Sequence, residues 1–140
     1  MKGQSLVMQF VIFFVMGFTL FLVIGNFFRY QSDRIASEIV SDSLRLTNSY
    51  LSSASIALIN SCKQCDDVNY EIILANTTAG SFFEIFLENK TGLKVSAPEN
   101  KLSISSIHKI NFTTNMSGFT ASNKPIILTY NKNNNQLRVV

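Results

Sequence analysis

One histidine, His108, and two cysteines, Cys62 and Cys65, are all that 140 residues offer to metal binding or redox chemistry. A structural zinc needs about four ligands, so neither residue type can assemble one here without help from carboxylates. No glycine-rich phosphate loop and no nucleophile elbow is present. The acids come in weak groupings: Asp66 and Asp67 are adjacent, as solvated acids before a strand commonly are, and Glu84 and Glu88 recur at strand spacing on an expected solvent face. The formal net charge of +3 is spread over scattered lysines and arginines, which excludes the clustered basic face of a nucleic-acid binder. No internal repeat of solenoid length occurs. These absences argue against an enzyme, a cofactor, a metal centre and a nucleic-acid partner.

Charge is also missing from one long stretch. From Leu6 to Phe28 there is no ionisable side chain, and only Gln9, Gly17, Thr19, Gly25 and Asn26 interrupt an otherwise apolar run. At 1.5 Å per residue this helix would be roughly 35 Å long, enough for a hydrocarbon core of about 30 Å. A cleaved secretory signal has a shorter apolar core and a small-residue cleavage site, whereas Asn26-Phe27-Phe28-Arg29 follows this one. A retained membrane helix is expected. Lys2 lies on one side of it, and Arg29, Asp33, Arg34 and Glu38 lie on the other, so charge alone orients it weakly.

Neither proline nor glycine occurs between Ser32 and Asn60, and helix formers alternate there with serine and alanine. At 100° per residue, Ile35, Ile39, Leu46, Tyr50 and Ala57 share one line. Val40, Leu44, Leu51 and Leu58 share a second, about 120° away, and Asp42, Arg45, Asn48, Ser49 and Ser52 take the remaining side. An apolar face this broad suits two partners: the chain's own C-terminal domain and neighbouring helices. Small residues (Gly17, Gly25, Ala36, Ser43, Ala54) would let helices approach closely.

The start of the chain, Met1-Lys2-Gly3-Gln4-Ser5 followed directly by the apolar helix, resembles an archaeal type IV prepilin with its class III signal peptide. The resemblance covers about 30 residues. It implies a leader of residues 1–4, cut near Gly3 or Gln4 by a prepilin peptidase, and an apolar helix that is retained and packs into a filament core. Many pilins carry a glutamate five residues into the mature chain; here Met8 or Gln9 stands there, depending on the cut. The helix–helix assembly residues implied are Phe10, Phe14, Gly17, Phe21, Gly25, Ile35, Ile39 and Leu46.

Cys62 and Cys65 close the helical pattern. A thioredoxin-like site would place C-x-x-C at a helix start after a strand, and here the motif follows a helix. A local disulfide in the linker 61–67 is the favoured reading, with two free thiols as the alternative. If the domain beyond is extracytoplasmic, a disulfide is permitted there.

From Val68 onward short β-rich runs alternate with turn residues, which predicts a small antiparallel β-sandwich, Ig-like, over 68–140. The expected strands are Tyr70–Ala75, Phe82–Leu87, Leu93–Ala97, Leu102–Ile107, Ile110–Thr114, Phe119–Ala121, Ile126–Tyr130 and Gln136–Val140. Glu88-Asn-Lys-Thr-Gly92 reads as a hairpin turn. Four N-x-[ST] sequons, at Asn76, Asn89, Asn111 and Asn115, are N-glycosylation candidates and favour an outside C-terminal domain.

The fold class expected is α+β: a long N-terminal helix over 5–60, apolar over 6–28, followed by the β-domain. The function expected is a structural subunit of an extracellular archaeal pilus-like filament. Its partners would be copies of itself, the prepilin peptidase and assembly machinery, and the cytoplasmic membrane before assembly. The alternative is a membrane-anchored extracellular binding module that never polymerises, such as a minor pilin, an adhesin or a motor or stator component of a swimming filament.

Overall fold

A computed structural model describes residues 2–62, 65–75, 77, 80–110 and 113–140; of residues 2–5 it describes the backbone alone. One helix, α1 (Lys2–Ser61), precedes seven strands: β1 (Asp67–Ile72), β2 (Glu84–Glu88), β3 (Gly92–Ala97), β4 (Leu102–Ser105), β5 (Asn115–Ala121), β6 (Ile126–Asn131) and β7 (Gln136–Val139). The chain divides into two compact units, Met1–Ser37 and Glu38–Val140.

The first unit is helix alone. Nothing covers its apolar side chains, from Leu6 through Phe28, and the stretch is long and apolar enough to cross a membrane. Its one hydroxyl within the apolar run, Thr19, bonds back to the carbonyls of Val15 at 2.7 Å and Met16 at 2.9 Å. A polar group in apolar surroundings is satisfied in this way without leaving the helix.

In the second unit the last turns of α1 pack on one face of a single sheet. Its strand order is β1-β6-β7-β5-β2-β3-β4, antiparallel throughout except for the parallel pair β5–β7. Period-two alternation builds the core. Ile85 and Leu87 of β2, Val95 of β3, Leu128 of β6 and Leu137 of β7 point toward Val40, Leu44, Leu51 and Leu58 of the helix, all of them buried. Glu84, Phe86 and Glu88 take the opposite face, where the Phe86 and Phe119 rings stand 4.9 Å apart. The expected hairpin closes with Glu88 opposite Gly92.

The α+β class and the long apolar N-terminal helix are as expected, and two details differ. The strands form one sheet rather than the two of a β-sandwich, because the apolar face that a second sheet would cover is covered by the helix. Of the strand expected at Ile110–Thr114, the described residues Ile110, Thr113 and Thr114 are not strand: the Thr113 and Thr114 amides both donate to Ile110 O at 3.0 Å, and β5 begins at Asn115.

Gly118 sits where β5 meets β7. Its φ is +128°, and a Cβ there would run into the Val139 backbone. Gly118→Ala should therefore destabilise the folded unit by about 2–4 kcal/mol, from backbone strain and overpacking together, read as a lowered melting temperature.

Candidate functional site

The two stripes of the outer helix have different fates. Val40, Leu44, Leu51 and Leu58 are sealed against the sheet, Leu44 and Leu51 completely. The other stripe is open: Ile39 is 52% exposed, Leu46 73% and Tyr50 47%. Beside it runs a groove of about 420 Å³ lined by Tyr50, Ser53, Ala54, Ala57, Leu58, Ser61 and, from β1, Tyr70. Ser53, Ala54, Ala57 and Ser61 on its helix side are small, which leaves room for another element to come close to the backbone.

In the first unit Phe10, Phe14, Gly17, Phe21 and Gly25 recur at spacings of four and three, which aligns them along one side of the helix. All the phenylalanines are exposed, as is Ile35. A Cβ added at Gly17 or Gly25 would meet nothing within 4 Å, so nothing inside the chain requires glycine at either position. Every described side chain of the expected assembly set is thus on the surface. At Gly3 and Gln4, the expected cleavage positions, only the backbone is described.

One part of the helix surface was unexpected. Asn48 and Ser52, which the wheel places on the polar side away from both apolar stripes, are buried. Asn48 Nδ2 donates to Ile104 O at 2.8 Å, and Ser52 Oγ lies 3.3 Å from Asn48 Oδ1 and 2.7 Å from Ser106 Oγ. The buried arc is wider than its leucines because β4 and the turn after it wrap further round the helix. Asn48 and Ser52 are spaced i, i+4, and with Ser55 they mark that margin, but polarity alone made them look solvated. Asn48→Ala should cost about 1 kcal/mol of unfolding free energy, since it removes the side-chain bond to Ile104 O and the contact with Ser52 Oγ, while Ser52 keeps Ser106 and Ile104 keeps its bond to β3. Chemical denaturation of the full chain in detergent would measure it.

The Cys62 and Cys65 sulfurs are at bonding distance, with Cα atoms 5.0 Å apart, and Cys62 belongs to the core. Of the sequons, Asn89 is exposed in the β2–β3 turn, where its Oδ1 accepts the Met116 amide, and Asn115 is exposed at the start of β5. Both stand at one rim of the sheet. Asn76 and Asn111 lie outside the described residues. His108 is an exposed loop residue. Among the described residues no three of His, Cys, Asp and Glu gather where they could hold a metal ion.

No protein-family model, no curated protein and no solved structure matches this chain.

Proposed function

We propose that the chain is the repeating subunit of an extracellular filament, of the archaeal type IV pilus-like kind, held together by its N-terminal helix. In this reading the precursor waits in the cytoplasmic membrane with the sheet domain outside. A prepilin peptidase trims it near Gly3 or Gln4, and the assembly machinery delivers the helix from lipid into a core made of other copies. The sheet domain then forms the outer surface, with adhesion as its role.

The observation that carries this reading is the open stripe on the folded unit. A bilayer core takes up about 20 helical residues, which accounts for Leu6 to Phe28. It does not account for Ile39, Leu46 and Tyr50, which remain exposed on the part of the helix that already has a sheet on its other side. An anchored module with no further partner gains nothing from apolar side chains there, whereas a helix bundled with its own kind buries them, at about 25 cal/mol per Å².

Mass spectrometry of material sheared from cells tests the proposal. An abundant chain beginning at Gln4 or Ser5 in the sheared fraction is the expected result. Intact chain beginning at Met1, confined to membranes, would favour the anchored binding module instead.

A further inference from the structure

The sheet has two free edges, β1 and β4, and the hydrogen-bond pattern fixes which backbone groups each presents. Ile127 and Val140 exchange both their bonds, so odd-numbered residues of β6 bond to β7 and even-numbered ones to β1. The β1 partners of those even residues are Val68, Tyr70 and Ile72. Asp67, Asn69 and Glu71 therefore direct their N–H and C=O groups outward. By the same alternation the Ser106 amide bonds Leu93 O, so Leu102 and Ile104 bond to β3 and Ser103 and Ser105 face outward from β4. All five outward-facing residues are exposed.

The side chains of the two edges match as well. On the helix side, β1 shows Val68 and Tyr70, and β4 shows Leu102 and Ile104. On the other side β1 carries Asp67, Asn69 and Glu71, while β4 carries Ser103 and Ser105 with Lys101 just before it. Antiparallel pairing with Asn69 opposite Ser103 satisfies every one of these features at once. It sets Asp67 opposite Ser105 at a hydrogen-bonded position, and it brings Glu71 beside Lys101, whose left-handed backbone (φ 54°) and amide bond to Pro98 O place it just outside the ladder. It also sets Tyr70, which is 45% exposed, opposite Leu102, and Val68 opposite Ile104. Self-pairing of two β1 edges about Asn69 would instead place Asp67 opposite Glu71, a like-charge pair that is disfavoured.

We propose that copies of this chain join edge to edge, β1 of one pairing antiparallel with β4 of a second copy in this register. The contact is heterologous: a joined pair keeps one free β1 and one free β4, so addition continues as an open series rather than closing in a dimer. Main-chain bonds supply the affinity, and the Glu71–Lys101 and Tyr70–Leu102 pairs supply the register. Tyr70 also walls the groove beside Ser53 and Ala54, which leaves space for Leu102 of the second copy above it. The inference deepens the filament reading by naming a second contact between copies, outside the helical core.

Mixed assembly of two full-length chains, one carrying Asn69→Cys and the other Ser103→Cys, tests it by mild oxidation and a non-reducing gel. Hydrogen-bonded antiparallel positions have Cα atoms about 5.5 Å apart, within disulfide reach. A crosslinked pair that requires both variants is the expected result, with none when Ser96→Cys replaces Ser103→Cys. Glu71→Lys should bring the yield down, and Lys101→Glu on the other chain should restore it. Assembled filaments with no Asn69→Cys to Ser103→Cys crosslink would overturn edge pairing and leave the filament reading standing. Crosslinked pairs in detergent from a chain that never forms filaments would support edge pairing and overturn the filament reading. Equal crosslinking from the Asn69→Cys chain alone would mean β1–β1 contact and would overturn the register.

Discussion

Leu22→Glu is expected to remove this chain from the sheared surface fraction while leaving it in the membrane with its sheet domain folded. The two environments proposed for the helix respond differently to one carboxylate. In lipid, a single charge at a helix centre costs about 2.5–3.5 kcal/mol on insertion scales, which the rest of an apolar run such as Leu6–Phe28 can offset. In a filament core the same carboxylate is buried in every copy, without a partner and next to its own repeats, and an unpaired buried charge costs several kcal/mol per site. Val15→Glu should behave in the same way. Ser49→Glu, on the exposed polar side of the folded unit, should assemble normally. Quantitative mass spectrometry of sheared and membrane fractions checks all three, and normal filaments from Leu22→Glu would sink the proposal.

The second large effect separates the two stripes of the outer helix. Leu51 has no exposed surface and lies among the sheet's core side chains, whereas Leu46, five residues earlier, is 73% exposed. Leu51→Ala should cost about 2–5 kcal/mol, the usual range for a buried leucine, and Leu51→Asp should unfold the domain outright. Small domains have total stabilities of only about 5–15 kcal/mol, so this loss is decisive. Leu46→Asp should change stability by no more than about 0.5 kcal/mol, as exposed substitutions do, yet it should block filament formation. Thermal denaturation of the full chain in detergent, paired with electron microscopy of sheared material, reads both arms. Equal destabilisation by the two aspartates would show that Leu46 belongs to the domain core and would leave assembly without its second stripe.

The long helix was legible in the sequence because its signals are local: an uncharged apolar run, then thirty residues without a helix breaker. The division of its outer half into two stripes was also legible, since 3.6-residue periodicity places Leu51 and Leu46 on different lines. Which stripe meets the sheet was not, because that depends on where the strands pass. The same limit explains Asn48 and Ser52. Their burial follows from Ile104 and Ser106, more than fifty residues away, wrapping round the helix margin.

The strands were found from alternation, as at Ile85 and Leu87, but whether they make one sheet or two is a question of pairing. The β2–β5, β5–β7 and β6–β1 contacts, which join distant segments, settle it as one. Thr113 and Thr114 are β-branched and look like strand residues, but their amides both go to the Ile110 carbonyl and so are not available to a ladder. Edge pairing between copies is not legible in the sequence, since a strand's free edge is defined only when its other neighbour is known.

The central claim, that the N-terminal helix holds copies of this chain together, is tested most directly by electron cryo-microscopy of fibres sheared from cells that express it. The account predicts a map in which the helices from Leu6 onward pack against one another along the fibre axis, with Ile39, Leu46 and Tyr50 in contact with neighbouring copies and the sheets outside. Fibres built from some other chain, with this one recovered only from membranes, would contradict it.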